Sequence, residues 1–237
     1  MSLSAATERA LEAVYAVFAT SPKPVEITGC PCCVKPGAYC ALVELPLRQL
    51  TEEDLGAYGT KALTTVGSVA DFRYLLPRLL DLCLHAPDGY PGCEILFSKL
   101  HLAKWQDWPV VERVAVEQLC QAVFDHALET HLDDLRNMTW DAETQYPIDP
   151  EHRFEAGEPM LWLCAFALAR LPLEPFLDKL AMPAYEPVLI RSYYDSGPAS
   201  GREMQGSFWQ DNPAALQQVI DWFNSAAIQA RILRHLH

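Results

Sequence analysis

The chain has 237 residues, half of them hydrophobic, and carries a formal charge of -13 with an isoelectric point near 4.9. That charge argues against a nucleic-acid partner, because binding a polyanion needs a basic stripe that displaces counterions. No run reaches the ~18 apolar residues a membrane span requires, and a chain of this length buries enough surface to fold without a metal or disulfide staple.

Leu11, Val14, Tyr15 and Phe18 recur at helical spacing and predict an amphipathic N-terminal helix that Ser21-Pro22-Lys23-Pro24 ends. Glu8 and Glu12 lie where a signal peptide would carry cations, so a cytosolic protein with reduced or metal-bound cysteines is expected. Val25–Thr28 leans toward strand, and Gly29 opens a cysteine loop in which Pro36 and Gly37 prevent a long helix. Thr51 before Glu52, Glu53 and Asp54, and Ser68 before Asp71, are helix N-terminal signatures. The second opens an apolar face from Phe72 to Cys83, with Pro77 inside it as a kink or a true start.

Glu94–Trp105 reads as a helix, and Asp107-Trp108-Pro109 starts the clearest one. Its expected core stripe is Val111, Val114, Ala115, Leu119, Ala122, Val123 and His126. His131 to Glu158, with its prolines, reads as a long polar loop (131–159). Met160–Ala169 is apolar on every face and predicts a central helix, and Leu173–Leu180 a short one. Tyr185–Tyr194 is balanced between helix and strand. Asn212-Pro213 caps a last helix whose face is Leu216, Val219, Ile220, Phe223 and Ala227. Arg231, Arg234, His235 and His237 complement its carboxyl end.

These elements make an all-α chain: one multi-helix domain over 1–237, with an irregular cysteine segment at 21–50. Paired stretches of similar length, 51–65 with 69–85 and 92–105 with 109–130, suggest stacked helical hairpins of HEAT type.

Lys61-Ala62-Leu63-Thr64-Thr65-Val66-Gly67, running into Asp71-Phe72-Arg73 and Leu76-Pro77-Arg78, forms a distinctive block. With the cysteines upstream and the Trp105–Trp108-Pro109 turn, it resembles a group of uncharacterised bacterial helical proteins over roughly residues 25–130. The resemblance implies bacterial origin and a helical fold, and it brings no activity, cofactor or catalytic residue.

Chemistry concentrates in Cys30-Pro31-Cys32-Cys33 and Cys40, four of the eight cysteines within eleven residues. Thiols this close share a metal, form a strained disulfide, or sit reduced beside one another. The Cys30-x-x-Cys33 spacing suits a tetrahedral zinc, with Cys32 inside the motif and Cys40 as a third ligand. Cys83, His85 and Cys93 form a second group from which a fourth ligand could come. The alternative is a set of reduced thiols packed as small hydrophobes, or a redox switch on the loop. The C-P-x-C of glutaredoxin-like enzymes is also present, but the βαβ frame it needs is not.

His126 on an apolar stripe reads as a core histidine. His131 with Asp133 and Asp134, and His152 farther on, read more simply as a solvated helix end and loop than as an acid–base or cation site. No nucleophile elbow, phosphate loop or dinucleotide fingerprint is present. The expected function is a helical binding or scaffold protein, its partner another protein, with a metal-organised cysteine loop. The contrasting expectation is a metal- or thiol-dependent enzyme or sensor built on Cys30, Cys32 and Cys33.

Overall fold

Both capping signatures build what they predict. Thr51 accepts from the Asp54 amide while the Asp54 carboxylate accepts from the Thr51 amide, and Ser68 and Asp71 repeat that exchange. Each box satisfies amides that the first turn of a helix leaves without an internal partner. A computed structural model describes residues 3–32, 34–35, 37–87, 89–137, 158–196 and 208–234. Among them are eleven α-helices and no strand, so the fold is all-α.

The chain packs as two compact units, Met1–His126 and Ala127–His237. The first holds α1 (Ala5–Phe18), α2 (Cys40–Glu44), α3 (Glu52–Lys61), α4 (Val69–His85) and α5 (Cys93–Leu102), with the start of α6 (Val110–Asn137). Helix α4 is central and packs on α1, α3 and α5. The α3–α4 pair is the expected hairpin, whereas the extensive packing of α1 on α4 joins elements far apart in the chain. Leu11, Val14, Tyr15 and Phe18 are buried as their spacing requires.

Helix α4 runs on through Pro77, which therefore does not mark its start. Nearby, the Asp81 carboxylate gathers donors from two helices. The Tyr15 hydroxyl donates to it over 2.8 Å and the Arg78 guanidinium over 2.6 Å, while the Arg78 Nε bonds the Leu50 carbonyl at 2.7 Å.

Helix α6 departs from expectation in its facing. Val111 and Val114 are 63% and 39% exposed, and the buried face carries Glu112, Ala115, Val116, Leu119, Cys120, Val123 and Phe124. The rotation follows from Glu112, which is buried because Arg73 grips it with two guanidinium nitrogens. Arg73 in turn lies over the Trp108 ring, its carbon 5.6 Å from the centroid. A paired carboxylate thus takes the place a valine was expected to fill. The helix also continues through His131–Asn137, the start of the expected polar loop. The remainder of that loop to residue 157, including His152, lies outside the described residues.

The second unit contains the rest of α6, α7 (Pro159–Leu168), α8 (Glu174–Leu180), α9 (Glu186–Ser196), α10 (Pro213–Phe223) and α11 (Ala226–Leu233). Nine of the ten α7 residues are buried, which fits its lack of a polar face. Phe166 of α7 packs against Phe176 of α8 with centroids 4.7 Å apart. The 185–194 segment is helical. The last predicted helix is two, broken at Asn224-Ser225, which leaves Ala227 exposed. Arg231 bonds the Ala181 carbonyl and pairs with Glu186 at 3.2 Å, so it serves the start of α9 as well as its own helix end.

Candidate functional site

The cysteine segment is held by the Lys61–Gly67 block. The Cys30 amide donates to the Thr65 carbonyl and the Gly67 amide to the Thr28 carbonyl, both at 2.8 Å. These bonds make an isolated antiparallel bridge between Gly29 and Val66, which is all that the strand tendency of Val25–Thr28 becomes. Two glycines permit the approach. A Cβ on Gly29 would lie 2.6 Å from the Val34 side chain and 2.9 Å from the Thr65 carbonyl oxygen. Gly67 has φ of +71°, and the buried Tyr58 ring packs against it.

Beyond Gly29 the chain turns back at once, and the Val34 amide donates to the Cys30 carbonyl at 3.0 Å. Inside that turn the Cys30 and Cys32 sulfurs lie side by side, 2.7 Å apart. Cys32 is exposed and Cys30 half-buried. Cys33 lies outside the described residues. Cys40 opens α2 and faces a different, mainly apolar hollow of about 460 Å³ with Val25, Ile27, Val34, Tyr39 and Val43 in its walls. Among the described residues no three metal-ligating side chains gather around one point.

The second cysteine group is separate. Cys83 at the end of α4 and Cys93 at the start of α5 are buried and hydrogen-bonded to each other, and Cys93 also faces the Glu94 carboxylate at 3.5 Å. The bond to Cys83, then burial, holds the Cys93 thiol above its usual range. His85 is half-exposed and turns its Nδ1 to the Asp81 carbonyl at 2.8 Å. Cys120 and Cys164 are buried as well, and burial pushes the Cys120 thiol up. A buried thiol of raised pKa is a poor nucleophile, because the thiolate is the reactive form.

The histidines divide similarly. His131 is buried, and burial with the nearby Arg191 cation depresses its pKa to about 4, which keeps its ring neutral. The open hollow of about 490 Å³ beside α1 has structural contacts in its wall: Arg48 pairs with Glu12 at 2.6 and 2.9 Å and covers the Tyr15 ring.

The cysteine turn is therefore where two mutually close thiols, Cys32 exposed and Cys30 half-buried, meet at the surface, and the residues that position it are Thr65, Val66 and Gly67. The sequence signal for that clamp was a β-branched run closed by glycine between two capped helices, opposite a second β-leaning run at 25–28.

No family model matches the chain, and no curated protein or solved structure is similar to it at a significant level. No helix among the described residues is long and apolar enough to cross a membrane.

Proposed function

We propose that this is a helical binding protein whose Cys30–Cys32 turn is a dithiol element, cycling between two thiols and a disulfide. The observation that carries the reading is the 2.7 Å approach of the two sulfurs on an exposed turn. Closing the bond joins Sγ to Sγ and releases two protons and two electrons, which a disulfide-bearing oxidant accepts as it becomes two thiols. The helical body is the rigid support, and the bridge to Thr65 and Gly67 fixes the turn upon it. In a cytosolic setting a disulfide of this kind is a transient, redox-sensing one. The net charge of -13 favours a basic protein partner over nucleic acid.

Counting alkylatable thiols by mass, before and after treatment with oxidised glutathione, tests the reading. The wild type loses two thiols without gaining mass from the reagent, and Cys30→Ser does not. Equal loss in both proteins refutes the proposal.

A second reading, a zinc held by Cys30, Cys32, Cys33 and Cys40, draws support from the C-x-x-C spacing and from the Val34 amide closing the turn over it. Near-stoichiometric zinc in protein purified without added metal, lost in Cys30→Ser, favours that reading.

A further inference from the structure

The two sulfurs of the turn face different surroundings. Cys30 forms part of the wall of a hollow of about 310 Å³, together with Thr28, Gly29, Thr64, Thr65 and Gly67. Cys32 lies outside that wall, exposed, with its sulfur 2.7 Å from that of Cys30. The hollow is of a size that takes a small molecule and not a folded partner. Its walls are hydroxyls, glycines and backbone, with Leu63 and Val66 as the two apolar residues. The lining carries no charged side chain, and its hydroxyls and backbone groups suit a polar ligand rich in amide groups.

Resting on the dithiol reading above, we infer that the oxidant is a low-molecular-weight peptidic disulfide seated in this hollow, with Cys30 as attacking thiol and Cys32 as resolving thiol. The Cys30 thiolate attacks one sulfur of the ligand, RS–SR; the Cys30–SR bond forms, the S–S bond breaks, and RS⁻ leaves and takes a proton. The Cys32 thiolate then attacks the Cys30 sulfur, forming Cys30–Cys32 and expelling the second RS⁻, which is protonated in turn. Two protein thiols are oxidised and one small disulfide is reduced to two thiols. The division of roles follows from position: among the described cysteines Cys30 alone lines the hollow, and a thiol outside the hollow can displace the ligand without competing for the site.

The test uses the full chain and oxidised glutathione. Cys32→Ser, at an exposed position, traps one glutathionyl group, and peptide mapping places it on Cys30. Cys30→Ser accumulates at least tenfold less adduct in the same time. Thr64→Trp, which fills the hollow from an exposed position, slows adduct formation in the Cys32→Ser background about tenfold, a loss near 1.4 kcal/mol of binding. Alkylation of Cys30 by iodoacetamide, a reagent small enough not to need the hollow, is followed in the same protein and falls several-fold less than adduct formation, which separates blocking of the hollow from damage to the turn. Should the wild type close its disulfide while Cys30→Ser carries adduct on Cys32 as fast as Cys32→Ser carries it on Cys30, the hollow selects nothing and the inference fails with the dithiol reading intact. An adduct retained in Cys32→Ser only at Cys33 or Cys40 also overturns it. A wild type that neither closes nor takes up adduct removes both.

Discussion

The cysteine turn and the buried seam of α4, α5 and α6 use the same side chain for opposite ends. In the turn, Cys30 and Cys32 are brought together where solvent and small molecules reach them, on backbone fixed by three hydrogen bonds. In the seam, Cys83, Cys93 and Cys120 fill space between helices, and for Cys93 and Cys120 the same environment raises the thiol pKa. Thiol identity decides little here. Exposure and the neighbouring backbone decide whether a cysteine packs or reacts.

The largest expected effect is kinetic. In a short maleimide pulse on native protein, Cys32 and Cys40 label at least ~10³-fold faster than Cys83, Cys93, Cys120 and Cys164, whose reaction waits on opening of the core. Labelling of Cys83 or Cys93 within tenfold of Cys32 would erase the distinction between the two regions. Substitution sharpens it thermodynamically. Cys120→Ser places a hydroxyl in an apolar site and costs about 2 kcal/mol in urea unfolding, while Cys32→Ser stays within about 0.5 kcal/mol of wild type.

Acid extends the comparison to the second unit. The folded-state pKa of His131 is lowered to about 4 from its ordinary value near 6.5, so between those values the unfolded chain binds more protons than the folded one. Stability is therefore whole above pH 6.5 and falls as pH drops toward 4. The loss is on the order of 1–2 kcal/mol between pH 7 and pH 5, and His131→Gln removes that part of the slope. An unchanged slope in the variant would place the acid sensitivity elsewhere.

What could be read in advance was what is encoded locally. Thr51 with Asp54 and Ser68 with Asp71 set their helix starts within one turn, and the all-round apolarity of Met160–Ala169 required a buried helix. The facing of α6 was not legible, because whether Glu112 is buried depends on Arg73, which lies on another helix. The same limit applies to the cysteine turn. Its residues stand out by spacing, but the segment that holds it, Thr65 to Gly67, is brought across by packing of α3 and α4 and not by any neighbouring residue. The zinc set suggested by spacing was Cys30, Cys32, Cys33 and Cys40, with Cys83, His85 and Cys93 as a source of a further ligand; that Cys83 and Cys93 are buried side by side depends on how α4 meets α5, which spacing alone does not encode.

The meeting of Tyr15, Arg78 and Asp81 has a consequence in alkali. A phenol that donates to a partly buried carboxylate gives up its proton only at the expense of that bond, and both burial and Asp81 hold the Tyr15 pKa well above its ordinary value. Burial does the same for Tyr58 under the clamp. These two stay dark in an ultraviolet titration until the helices separate. Base thus acts on the first unit as a delayed trigger, with the late absorbance step and the loss of ellipticity arriving together.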